Sequence, residues 1–156
     1  MRSFFSCLVV VGLLIGGLLD AAPAEAQRDT GSFGVGGQVG QPGGFTAKVY
    51  SARPWAGVLS VGTNFRDQTV LHGHVLQEHP LPESPLWVFA GPSAFLGLRS
   101  LDTRSRVVTG AGARVGLNFY RNRFEVYLHA SPRFEVLPEV GLQLGTSAGL
   151  RYYFKL

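Results

Sequence analysis

From Gly141 to Phe154 the side chains alternate without a break between two kinds. Leu142, Leu144, Thr146, Ala148, Leu150, Tyr152 and Phe154 share one parity; Gly141, Gln143, Gly145, Ser147, Gly149, Arg151 and Tyr153 share the other. Successive residues of a β-strand point to opposite faces, so this stretch predicts a strand with one apolar face and one small, polar face. A soluble sandwich would pack its bulky residues inside and keep glycine scarce. Here the small polar face fits a narrow interior and the apolar face fits lipid, which is the pattern of a transmembrane barrel strand.

Seven further segments fit the same reading with varying regularity, and after Ala26 no long stretch holds apolar residues at helical spacing. Phe33, Val35, Gly37 and Val39 alternate with Gly34, Gly36, Gln38 and Gly40. Phe45, Ala47 and Val49 alternate with Thr46, Lys48 and Tyr50. Leu59, Val61, Thr63 and Phe65 alternate with Val58, Ser60, Gly62 and Asn64. Leu71 and Val75 face away from His72, His74 and Glu78. Leu86 to Leu98 is nearly continuously apolar and contains Pro92, where a bulge or break is expected because a closed barrel has no free edge. Val107 to Tyr120 sets Arg114 and Asn118 against Val115, Leu117 and Phe119. Phe124, Val126, Leu128 and Ala130 alternate with Glu125, Tyr127, His129 and Ser131.

Turn residues separate these segments at Gln41–Gly44, Arg53–Gly57, Arg66–Gln68, Pro80–Pro85, Ser100–Arg106, Arg121–Arg123 and Pro132–Val140. Membrane strands need about 9–11 residues each, so the length suits about eight strands and not ten. The expected fold is therefore all-β, an antiparallel up-and-down transmembrane barrel of about eight strands. An even strand number places both termini on one side. With periplasmic termini, Gln41–Gly44, Arg66–Gln68, Ser100–Arg106 and Pro132–Val140 are expected outside.

The N-terminus reads as a targeting segment. Arg2 precedes a charge-free apolar run, Phe4 to Leu19, and Ala24-Glu25-Ala26 supplies small residues for cleavage. Residues 1–26 are expected to be a secretory signal peptide, and residues 27–156 the barrel domain. Cys7, the only cysteine, would leave with the leader, so the mature chain is expected to hold no disulfide or thiolate site. Loss of Arg2, Asp20 and Glu25 raises the formal charge of +4 by one. The arginines are scattered and form no aromatic-interleaved basic stripe, so no nucleic-acid partner is expected. Anionic lipid headgroups are the expected use of the charge.

The ending Leu150, Tyr152, Phe154, with Lys155 and Leu156 after it, resembles the C-terminal strand of small bacterial outer-membrane β-barrels of the OmpA/OmpX size class. The glycine-rich first strand and the leader fit that class too. The resemblance implies a bacterial outer-membrane location, outer-membrane lipids as surroundings, and recognition of the last strand by the barrel-insertion machinery. A monomer without cofactor is expected. The class includes adhesins, enzymes and stabilisers, so it implies no activity.

Four groups of residues are candidates for chemistry. His72 and His74, with Glu78 on the same parity, have the residue types of a zinc or nickel site. The competing expectation is that they fill the lumen and bond to neighbours such as Glu125 or Arg114. His129-Ala130-Ser131 resembles the His-x-Ser motif of the lipid A 3-O-deacylases, with Glu139 or Glu135 as the orienting acid. That family has Asn next, where this chain has Pro132, and parity here turns both side chains to the lumen. Lys48, Arg114, Glu125, Gln143 and Arg151, with Asn118, all carry inward parity. They are expected to interlock as a lumen network, because an eight-stranded interior is only wide enough for its side chains. Trp55, Trp87, Tyr120, Phe124, Tyr152 and Phe154 near strand ends are expected to form interfacial girdles. The glycines of residues 34–44 precede no Lys-Ser/Thr pair and no helix, so they form no phosphate loop. The overall expectation is a non-enzymatic barrel with a filled lumen, structural or surface-interacting. The alternatives are a deacylase-like enzyme and a soluble, lipocalin-like periplasmic barrel. The last predicts that Leu142, Leu144 and Leu150 point inward.

Overall fold

The computed structural model describes residues 31–64, 68–101 and 104–154. The expected signal peptide, residues 1–26, lies outside the described residues, as do Phe65, Arg66, Asp67, Lys155 and Leu156. Eight strands follow in order: β1 (Phe33–Gly40), β2 (Gly43–Ala52), β3 (Trp55–Thr63), β4 (Gln68–Pro80), β5 (Leu86–Leu101), β6 (Arg104–Arg121), β7 (Phe124–Leu137) and β8 (Gly141–Phe154). Each pairs antiparallel with the next, and β8 returns to β1, so the sheet closes into a barrel.

The closure is staggered. Stepping from partner to partner, Val35 leads through Ala47, Leu59, Gly73, Ala94, Ala111 and Phe134 to Leu142 on β8. Val35 itself pairs with Tyr152 on that strand. The circuit is thus offset by about ten residues, as expected of strands tilted by roughly 35–45° to the barrel axis.

The strands run further than the turn residues predicted. Only 53–54 separates β2 from β3, and β7 continues through Pro132 to Leu137, leaving 138–140 as its connection to β8. Pro132 stays in register opposite Leu144 on β8, while the ladder to β6 passes from Gly112–Arg133 to Val115–Ala130 without pairing in between. Pro92 behaves alike. It faces Ala113 on β6, and the β4 ladder stops at His74–Ser93 and resumes in the same register at Gln77–Ala90. A residue in an antiparallel strand directs its N–H and C=O toward one neighbour only. A proline therefore interrupts one ladder and leaves the other whole, with no bulge. At the β6–β7 turn, Asn122 takes a positive φ of 52°, a conformation that asparagine tolerates better than most residues.

Alternation sorts the side chains. Leu142, Leu144 and Leu150 are 78%, 68% and 48% exposed and point outward, against the lipocalin-like alternative. Leu59, Val75, Leu96, Val115 and Leu128 continue this apolar outer surface around the barrel. The inner faces carry Lys48, His72, Glu78, Arg114, Glu125 and Arg151, all buried.

Glycines make room for the larger inner side chains. Tyr153, Phe89, Phe95 and Tyr127 are the direct cross-strand partners of Gly34, Gly116, Gly110 and Gly149. A methyl group on any of these glycines would fall within 3 Å of its partner's ring or hydroxyl. Each ring lies over the bare backbone of its partner, the arrangement by which aromatics compensate for glycine in a sheet.

The aromatic ends divide. Trp55, Phe124 and Phe154 are exposed, and Tyr152 meets Phe124 and Phe154 edge-on at 5.2 and 5.0 Å between ring centroids. Tyr120, expected with them, is buried inside, and Trp87 packs against the cluster of Tyr50, Ala56, Tyr120 and Tyr153. The physical reason is parity: Tyr120 shares its face of β6 with Arg114 and Asn118.

Candidate functional site

The lumen is layered along its axis. The layer nearest the chain termini is an ion-paired network. Lys48 from β2 lies between two acids, Glu78 of β4 and Glu125 of β7. Its Nζ is 2.8 Å from Glu125 Oε1, forms an ion pair with Glu78 Oε1, and donates to Tyr120 Oη at 2.9 Å. Glu125 Oε2 accepts from Arg151 Nη1 at 3.0 Å and from Tyr153 Oη at 2.6 Å. Glu78 accepts from Tyr50 Oη at 2.7 Å and from Asn118 Nδ2 at 2.6 Å. Arg151 also donates to Thr46 Oγ1, and its guanidinium lies over the Tyr127 ring at 3.8 Å.

Local register explains the convergence. Glu125 pairs directly with Arg151 on β8 and with Tyr120 on β6. Lys48 and Glu78 reach across from the opposite wall. Every charged group has several partners, which is what a buried charge requires. None of these side chains, from Tyr50 to Tyr153, is more than 5% exposed, so the layer fills the barrel's cross-section.

A smaller network sits toward the other end. Arg99 Nη2 and Gln143 Nε2 both donate to Glu135 Oε2 at 2.9 Å. Beside it, the backbone oxygen of Pro42 in the β1–β2 turn accepts from Gln38 and Ser147, and Tyr127 Oη donates to Gln38.

Between the two lies a belt of different character. His72 and His74 stack, with rings 6° from parallel and centroids 5.7 Å apart, and His72 stacks in turn on Phe95. On the facing wall His129 stacks on Tyr127 at 5.8 Å. Arg114 and Arg133 enter the same belt, with Ser60, Ser93 and Ser131. All these groups are buried, and most of their polar atoms find no hydrogen-bond partner among the described residues.

The structure thus distributes the candidate residues. Lys48, Glu125 and Arg151 come together. Gln143 belongs to the separate Glu135 network, and Arg114 belongs to neither. Glu78, Tyr50, Tyr120 and Tyr153 complete the first network; their signal was inward parity next to a charged neighbour. His72 and His74 face the lumen, but their nitrogens do not bond to Glu125 or Arg114. Among the described residues no group of three or more His, Cys, Asp or Glu is placed to share a metal ion. His129 and Ser131 lie in the lumen without a hydrogen bond between them. Glu139 is exposed at the β7–β8 turn, away from both, and Glu135 is held by Arg99 and Gln143. A hydroxyl, a base and an acid in contact are what acyl transfer needs, and these residues are not so joined.

No protein-family model matches the chain, and no curated protein matches it by sequence. Among solved structures it is similar to the N-terminal β-barrel domain of Pseudomonas aeruginosa OprF, with 13% identity and a TM-score of 0.60. The match covers 80% of this chain and 98% of that domain. At this identity the likeness is one of fold, and it agrees with the register and closure described above: the chain is an all-β, closed, eight-stranded antiparallel barrel.

Proposed function

We propose that this barrel spans a bacterial outer membrane with a lumen closed by side chains, and that it acts as a structural or surface-interacting protein rather than a conduit or an enzyme. One observation carries the reading. The outer face is apolar around the circumference, with Phe45, Leu59, Val75, Leu96, Leu128 and Leu144 exposed, while the buried charges line the inside. In water that surface would be an extended hydrophobic patch; in a bilayer it is the lipid face of a barrel. The exposed Trp55, Phe124 and Phe154 at the terminal end suit an interfacial girdle. The ion-paired layer supports a plug over a pore, because its side chains leave the cross-section filled. In this reading outer-membrane lipids are the surroundings, the monomer is the working unit, and the last strand engages the insertion machinery.

The test is fractionation of expressing cells followed by gel mobility with and without boiling in detergent. A band in the outer membrane that shifts on heating is expected of a closed, detergent-resistant barrel. Recovery in the soluble periplasmic fraction with no shift would overturn the membrane assignment.

A further inference from the structure

The charges of the described lumen do not balance. Lys48, Arg99, Arg114, Arg133 and Arg151 face Glu78, Glu125 and Glu135. Glu78 and Glu125 are engaged by Lys48 and Arg151, and Glu135 by Arg99. Arg114 and Arg133 are left over, 2% and 8% exposed: no ion pair joins either to a carboxylate among the described residues, and Glu135, the acid within electrostatic reach of Arg133, is held by Arg99. Arginine cannot shed its proton to escape this cost. A buried guanidinium without a counter-charge is one of the least favourable groups a fold can hold.

The same belt holds unused donors. Arg114 Nε and Nη1, Arg133 Nε, and the hydroxyls of Ser60, Ser93 and Ser131 have no partner among the described residues. Neither do both nitrogens of His74 and of His129, and Nε2 of His72. These groups converge from several walls. Ser93 pairs with His74 across β4–β5 and Ser60 with His72 across β3–β4. Arg114 lies within electrostatic reach of Arg151, Arg133, His72, His74 and His129, and of one carboxylate, Glu125, which Lys48 and Arg151 already share. Water would satisfy hydrogen bonds here and leave the positive charge uncompensated. An anion does both.

We propose that the middle of the lumen, centred on Arg114 and Ser131, is a binding site for a small inorganic anion of the halide class. The ion-paired layer fills the lumen on the terminal side and the belt's own polar groups are packed close together, which favours a monatomic ion over an organic acid. The anion is the counter-charge of Arg114 and Arg133 and so a structural part of the barrel. This proposal rests on the lumen alone and does not depend on where the barrel resides.

The test uses the whole barrel refolded in detergent. Crystals grown or soaked in bromide are expected to show an anomalous peak within hydrogen-bonding distance of an Arg114 nitrogen. In solution, unfolding midpoints are compared in chloride and in gluconate at equal ionic strength. Chloride is expected to raise the midpoint saturably, by about several degrees, because a ligand bound only to the folded state stabilises it by mass action. Arg114→Met is expected to abolish that dependence. A bromide-soaked crystal without the peak, or equal midpoints in both salts, would overturn the proposal. So would an Arg114→Met barrel that keeps the full chloride effect. The bromide experiment needs no variant, so failure of Arg114→Met to fold leaves the proposal open to refutation.

Discussion

Two regions of one lumen, equally buried, treat charge in opposite ways. Around Glu125 each ion has a partner of opposite sign and further hydrogen bonds: Lys48, Arg151 and Tyr153 all meet one carboxylate. Around Arg114 the cations have histidines, serines and each other, and no carboxylate is bonded to them among the described residues. Burial alone therefore says nothing about stability. What differs is whether the fold itself supplies the counter-charge, as β7 does for β2 and β8, or leaves that to a solute. The first region acts as a closed internal brace across the barrel. The second is a site.

The largest effect that would break this contrast is Glu125→Gln. It leaves Lys48 and Arg151 short of charge in the interior, and a loss of about 3–5 kcal/mol is expected, read as a lower urea midpoint of the refolded barrel. A loss below ~1 kcal/mol would mean that the brace is not a brace. Next comes Gly149→Ala, which probes the wall between the two regions. Its methyl would lie 2.3 Å from Tyr127 Oη, so Tyr127 must leave its place between Arg151 and His129. Overpacking of this kind costs about 1–3 kcal/mol, and the near-ultraviolet circular dichroism of the tyrosines is expected to change with it. The smallest effect is expected of Glu135→Gln. Arg99 is 21% exposed, so water replaces part of what is lost, and about 1 kcal/mol or less is expected by the same urea titration. Equal losses for Glu125→Gln and Glu135→Gln would erase the distinction between a brace and a rim contact.

Much of this architecture was legible in the order of residues. The strand Gly141–Phe154 and its two faces followed from alternation alone, as did the inward placement of Lys48, Glu125 and Arg151. Strand ends were less legible. Pro132 and the polar residues after it read as a connection, yet β7 runs on to Leu137, because a proline removes a bond toward one neighbour only. Tyr120 read as an interfacial aromatic because it stands near a strand end, although its parity with Arg114 and Asn118 already turned it inward.

The residues by themselves determined the fold class, the direction each side chain faces and the apolar exterior. Those depend on a period of two along one strand, and a strand carries that information locally. Which lumen groups meet was decided by the tertiary structure. Gln143 went to Glu135, Glu78 joined Lys48, and Arg114 was left with histidines and serines. Such meetings depend on the register of eight ladders and on a stagger of about ten residues at closure, and a shift of one step in any ladder would exchange the partners.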